Sequence, residues 1–220
     1  MTSRLPLSNV YLVSEYDGND DIVLKDPTSI GRPLSTEGES LSVSFNGQAH
    51  INTRVKRFGK SSVQFVAAAD NLEATTVPNS FQFEDGDFTI EAYIRQDTTG
   101  VGDNSIFTIY EDSTNYLEFK FAAANALSIT SRRGGSSITA LGGPEAGRTT
   151  SNYAPREFMH VAASFDNQAQ KMRLFRNGNL IQNVTFAASN NSFTSNVVIG
   201  ENLTGYMDEL RISDSARYKA

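Results

Sequence analysis

GYMDELRISDSARYKA, residues 205–220, is the stretch on which the reading of the whole chain turns. Period-two alternation puts Tyr206, Asp208, Leu210 and Ile212 on one side of a strand, with Met207, Glu209 and Arg211 on the other. Asp208 thus falls on a face that is otherwise apolar, where an unpaired charge is costly. Four environments relieve that cost: a place at the rim, backbone amides as donors, an arginine partner, or a bound cation.

The same period recurs upstream, and helical periodicity is nearly absent. In FTIEAYIR, Phe88, Ile90, Ala92 and Ile94 share one face while Thr89, Glu91, Tyr93 and Arg95 share the other, the mark of a half-buried antiparallel strand. NYLEFKF repeats it, with Leu117, Phe119 and Phe121 inward. Further strands are expected at Val10 to Ser14, Leu41 to Phe45, Ser62 to Val66, Ser105 to Tyr110 and Ala126 to Ser131 in the first part of the chain. Glu157 to Phe165, Lys171 to Arg176, Leu180 to Phe186, Val197 to Gly200 and Tyr206 to Ile212 complete the set. Asn177-Gly178, between two β-prone runs, supplies the positive φ angles of a tight hairpin. TTGVGDN, Gly134-Gly135 and LGGPEAGRTTSN (141–152) punctuate the other strands, and the last reads as an exposed binding or contact loop. About a dozen short strands with no composition break point to an all-β sandwich of two antiparallel sheets.

At 220 residues the chain fits one all-β domain, 1–220, with 39% hydrophobic and 20% charged residues, an ordinary globular composition. Twenty-five acidic against 19 basic residues give a net charge of −6, which argues against a nucleic-acid surface. Cysteine is absent, so disulfides, thiolate metal sites and a cysteine nucleophile are excluded. No apolar run reaches the length of a signal peptide or a membrane span, and the expectation is a protein made and folded in a cytoplasm. Asn-x-Ser/Thr triplets at Asn183, Asn190 and Asn202 then have no route to glycosylation.

Five stretches, in order, resemble the laminin-G-like, concanavalin A-like jelly-roll family: NVYLVSEYDGND, QAHINTRVKRFGKSSVQFV, FEDGDFTIEAYIR, EFMHVAASFDNQAQKMRLFRNGNLI and IGENLTGYMDELRISDSARY. The likeness runs from about Asn9 to Tyr218 and implies a jelly-roll β-sandwich with a core over about 9–218. One departure is that Phe158 and Tyr93 stand where the family usually has tryptophan, and the chain has no tryptophan at all. Arg-Phe-Gly-Lys-Ser-Ser, with the closing Asp-Glu-Leu-Arg-Ile-Ser and Ala-Arg-Tyr, is most similar to copies in tailed-phage virion proteins. A virion component accounts for a module of a displayed type that lacks both cysteine and a secretion signal.

The resemblance also implies a calcium ion near the junction of first and last strands, with Asp17, Asn19, Asp20 and Asp208 as oxygen ligands. The alternative is that Asp208 accepts backbone amides or pairs with an arginine, since SEYDGND is equally a good turn sequence. Related jelly-roll glucanases carry carboxylates at i, i+2 and i+5 on one inner strand. Only Glu15, Asp17 and Asp20 have that spacing, and Gly18-Asn19 interrupts them as a turn, so no enzyme is expected. His160, among small and apolar neighbours, reads as a hydrogen-bonded core or rim histidine, and no catalytic triad can be built. Tyr153, Tyr116 and Tyr110 are the aromatic candidates for stacking on a sugar, beside the alternative that they serve the core or an interface.

The function expected is thus a non-enzymatic virion surface protein, homo-oligomeric and attached to capsid or tail proteins, with glycan contact as a further expectation. Capsid decoration is favoured over a tail receptor-binder, and a stand-alone carbohydrate-binding lectin module is the rival reading. Neither nucleic acid nor membrane insertion is expected.

Overall fold

The computed structural model describes residues 10–12, 24–25, 42–59, 61–75, 86–97, 103–143, 156–187, 193–213 and 215–219. In chain order the strands are β1 (Val10–Leu12), β2 (Leu24–Lys25), β3 (Ser42–Asn46), β4 (His50–Asn52), β5 (Ser62–Phe65), β6 (Asn71–Thr75), β7 (Phe88–Gln96) and β8 (Asn104–Asp112). They continue with β9 (Asn115–Phe121), β10 (Leu127–Arg133), β11 (Ser136–Gly142), β12 (Met159–Asp166), β13 (Lys171–Arg176), β14 (Asn179–Thr185), β15 (Val197–Ile199) and β16 (Gly205–Ser213). A single 3-10 turn at Ala123–Asn125 is the one helical element among the described residues.

Two antiparallel sheets pack face to face. The first runs β14-β13-β12-β7-β16-β1-β2, with β5 also paired to β16 and β4 to β5; the second runs β11-β10-β9-β8-β15-β6-β3. The fold is the expected all-β jelly-roll sandwich. Its last strand lies inside the first sheet, with β7 on one edge and β5 and β1 sharing the other; Val10 pairs with Ile212.

The interior follows from the alternation. Phe88, Ile90, Ala92 and Ile94 of β7 meet Leu117, Phe119 and Phe121 of β9 in one continuous core, joined by Val161, Ala163 and Phe165 of β12 and Phe107 and Ile109 of β8. Phe88 and Phe165 stack at 4.3 Å. Each Val, Leu, Ile or Phe in this core contributes about 1.5–3 kcal/mol relative to exposure. Arg176, at the end of β13, also turns inward and is fully buried; its Nη2 donates to the Asn125 carbonyl at 2.7 Å, and its guanidinium lies 5.9 Å from the Phe121 ring centroid.

The hairpin between β13 and β14 turns at Asn177 (φ 49°) and Gly178 (φ 82°), as the Asn-Gly pair requires. Gly205 opens β16 at φ 148°, and a Cβ there would stand 2.1 Å from the Arg95 carbonyl oxygen. Only glycine lets β16 approach β7 so closely.

Two sequence readings change. The alternation through β16 is broken: register to β7 slips between Asp208 and Arg211, and Glu209 sits at φ 51°. This bulge adds one residue, so Met207, Leu210 and Ile212 enter the core while Tyr206, Asp208 and Arg211 face out opposite Arg95, Tyr93 and Glu91. Asp208 is therefore not on the apolar side. The second change concerns β7, which is buried on both faces rather than half-buried, because residues 215–219 cross the outer face of the first sheet. Thr89 Oγ1 donates to the Ser215 carbonyl at 2.7 Å and accepts the Arg217 N–H at 3.0 Å, leaving Thr89 and Glu91 almost without solvent contact.

Candidate functional site

Asp208 lies where the edge of β16 passes from β5 to β1, and there the segment 53–59 closes over it. Its Oδ2 accepts the N–H groups of Arg57 (2.7 Å) and Phe58 (2.9 Å), and the residue is 4% exposed. Of the four environments open to it in the sequence, backbone donors are the one that the described residues supply. The segment is tied down elsewhere too, with Asn52 Oδ1 accepting the N–H groups of Arg54 and Val55, both at 2.9 Å. Phe58 packs edge-on against Tyr93 at 5.0 Å.

Asp17, Asn19 and Asp20, the other expected calcium ligands, lie outside the described residues, as does Glu15. Among the described residues no three His, Asp or Glu side chains gather where a metal ion could be held.

On the adjacent strand β7, Glu91 is the hub of the outer face. His160 Nε2 stands 3.0 Å from its Oε2, the Tyr218 hydroxyl donates to the same oxygen, and Arg217 Nε and Arg211 Nε lie 3.0 and 3.7 Å from Oε1. Burial pushes the Glu91 carboxyl up, but the hydrogen bonds of His160 and Tyr218 and the charge of Arg217 outweigh it, holding the group below the ordinary carboxylate range. Burial, with the Glu91 hydrogen bond and charge, pushes the Tyr218 hydroxyl up to about 12. This cluster fastens the C-terminal segment to the sheet. Sequence reasoning put Glu91 on the outer face but missed the cluster, because His160, Arg211, Arg217 and Tyr218 come together only through the strand order.

The tyrosines divide. Tyr153 lies outside the described residues, as does loop 141–152 from residue 144 onward; Leu141 and Gly142 belong to β11. Tyr110 and Tyr116 face each other across β8 and β9 on the outer side of the second sheet, ring centroids 6.1 Å apart and planes within 25°. Tyr110 is 55% exposed. Around them the outward row is polar: Thr108, Glu118, Lys120, Thr130 and Arg132 by register. Asp112, at the β8–β9 turn, accepts from Thr114 and Asn115, whose hydrogen bonds lower it to about 2.

At the same end of that sheet the interior opens. The inward row of β10 runs Leu127, Ile129, Ser131, Arg133, so the core gives way to polar side chains opposite β14. A cleft of about 680 Å³ results, walled by Ser131, Arg133, Ser136 and Ile138 on one side and by Val184 and Phe186 on the other. Arg133 Nη1 is held by Glu111 Oε2 at 2.7 Å and its guanidinium lies 4.9 Å from the Phe193 ring centroid. Glu111 Oε1 in turn accepts the N–H and hydroxyl of Thr194 at 2.6 and 2.9 Å. Burial raises the Glu111 carboxyl, but Thr194 and Arg133 lower it further, so the pair stays charged.

Comparison with known proteins matches this architecture. The model of the concanavalin A-like lectin/glucanases superfamily covers residues 66–220. No curated protein matches the sequence. Among solved structures the fold is similar to the binding domain of Paraclostridial Mosquitocidal Protein 1 (14% identity, TM-score 0.65, 97% of this chain and 49% of that one). It is similar also to the binding domain of botulinum neurotoxin DC in complex with SialylT (14%, 0.69, 96% and 48%) and to the botulinum neurotoxin serotype D binding domain (11%, 0.66, 96% and 48%). The chain thus spans about half the length of these structures, and at such identities the likeness is one of fold. With its family model matching well over half of the sequence, the chain belongs to the concanavalin A-like lectin/glucanases superfamily.

Proposed function

We propose that the protein is a non-enzymatic binding module on the surface of a tailed-phage virion, seated on capsid or tail proteins as a homo-oligomer, and that it meets glycans through Tyr110 and Tyr116. The observation that carries the glycan reading is the tyrosine pair itself: two stacked rings, one more than half exposed, with Thr108, Glu118, Thr130 and Arg132 beside them on the same sheet face. Rings so placed offer an apolar platform to a sugar, and the neighbouring polar groups offer hydrogen bonds. Similar folds occur in binding domains, one of them in complex with SialylT.

A non-enzymatic role is supported by the state of the buried carboxylates. Asp70 accepts the N–H groups of Gln48, Val66 and Ala67, Asp166 faces Arg173 at 3.3 Å, and Glu91 and Asp208 are engaged as above. A glycosidase needs two carboxyl groups flanking an open bond-breaking site, and these four are committed to structure. The virion reading rests on the Arg57-Phe58-Gly59-Lys60-Ser61-Ser62 and closing-strand resemblances and on the lack of cysteine. Capsid decoration remains the favoured attachment.

A glycan array probed with the wild-type protein and with Tyr110→Ala/Tyr116→Ala tests the binding claim; a sugar bound by the first and lost by the second is expected. Antibody labelling of purified particles tests the location. Labelled heads support the reading, labelled tails shift it to receptor binding, and glycan binding without labelled particles replaces it with a free lectin.

A further inference from the structure

We propose that the cleft between β10–β11 and β14 is a second saccharide subsite, one that takes a neutral pyranose. The inference rests on the glycan-binding reading above and deepens it by adding a site on the inner side of the same sheet end.

Three features of the cleft point that way. Its volume, about 680 Å³, lies within the roughly 300–1,000 Å³ of small-ligand sites. Its walls are of two kinds: Ile138, Val184 and Phe186 present apolar surface, and Ser131, Ser136 and Arg133 present hydroxyls and a guanidinium. A pyranose has the matching character, an apolar C–H face and a polar rim of hydroxyls that both donate and accept, as serine hydroxyls do. The charge of Arg133 is already answered by Glu111 at 2.7 Å, itself fixed by Thr194, so the cleft offers directed N–H donors without demanding an anion.

The cleft is also held in shape before any ligand arrives. The β8–β9 and β10–β11 turns are joined by the Gly134 N–H to Asn115 Oδ1 (2.9 Å) and the Gly135 N–H to the Thr114 carbonyl (3.2 Å), and Phe186 packs on Phe165 at 5.6 Å. A site fixed in this way loses little freedom on binding.

The test uses the full chain, isotope-labelled, titrated with lactose, maltose and cellobiose at millimolar concentration while the backbone amide resonances are followed. Shifts confined to Ser131, Arg133, Ser136 and Phe186 are expected. In Ser136→Trp, whose side chain lies beside Arg133 in an exposed position and fills the cleft, affinity should fall tenfold or more, a loss of about 1.4 kcal/mol per decade, with the thermal midpoint unchanged. Tyr110→Ala/Tyr116→Ala should leave these shifts in place. If the amides around Tyr110 and Tyr116 move instead and Ser136→Trp binds normally, the cleft proposal is overturned while the glycan reading stands. If neither set moves with any of the three sugars or with the glycans found on the array, both fall.

Discussion

Asp208 and Glu91 stand on adjacent strands of one outer face, and each is a buried charge kept by several donors. Removing Asp208 strands the amide protons of Arg57 and Phe58. Hydrogen bonds to a charged group contribute roughly 1.5–3 kcal/mol each, partly recovered by water, so Asp208→Ala should cost about 2–3 kcal/mol in urea unfolding. Asp208→Asn, which keeps one acceptor oxygen, should cost less. Calcium or a chelator should leave the wild-type midpoint where it is; a rise on adding calcium would show that the carboxylate serves a cation after all. For Glu91 the folded pKa is depressed, so its contribution to stability is complete above its unfolded value, about 4.3, and is lost as pH falls through the lower folded value. Wild-type stability should therefore drop on acidification below about pH 5 more steeply than that of Glu91→Gln, which has no carboxyl to protonate there. Parallel curves for the two proteins would show that Glu91 is not the group responsible.

At the level of elements, the bulge in β16 decides which face every later residue occupies. Glu209 holds a left-handed backbone at φ 51°, a conformation that costs a non-glycine residue roughly 1–2 kcal/mol. Glu209→Gly should thus be neutral to stabilising by about 1 kcal/mol, and deleting Glu209 removes the extra residue, restores strict alternation and leaves Leu210 and Ile212 facing the core. Denaturation midpoints of both variants should lie close to or above that of wild type, and a deletion variant that fails to fold would mean that the bulge does more than carry one extra residue. The strands that were legible in the sequence were those with a clean period, β7, β9 and the β13–β14 hairpin with its Asn-Gly turn. The missed ones lacked it. β6 reads NLEAT, with only Leu72 and Ala74 for the core; β4 has three residues; β11 is built mostly of serine, threonine and glycine; and β2 has two. A one-residue bulge leaves almost no compositional trace. Its one signal was the misplaced carboxylate, since a buried Asp on an apolar face is evidence that the alternation has been misread as well as evidence of a site. The tyrosine pair was visible residue by residue, but the cleft was not. Ser131 and Arg133 look like ordinary strand residues until register shows that they continue the inward row of Leu127 and Ile129.

For the molecule as a whole, the final segment does more than end a sheet. β16 is gripped by β7, β5 and β1, and residues 215–219 then fold back across the outside, where Ala216 is buried and the Tyr218 ring lies 5.1 Å from Phe175 and 5.9 Å from His160. Truncation after Ser213 should leave both sheets formed, because every strand pairing is retained, yet it exposes Phe175 and Ala162 and strips Glu91 of Tyr218 and Arg217. Lost apolar burial and lost charged hydrogen bonds together suggest a fall of about 3–5 kcal/mol in unfolding free energy, with the β-type circular dichroism intact. The segment carries its own reporter. The Tyr218 hydroxyl is raised to about 12, so the stability it contributes is present below its ordinary value near 10 and is lost as pH rises through the folded one. Ultraviolet titration of the intact protein should show one tyrosine ionising late, and both Tyr218→Phe and the truncated protein should lack it. A truncated protein of unchanged stability that still shows the late tyrosine would mean that the segment does not cover the sheet, and that the buried Glu91 is satisfied by β12 and β16 alone.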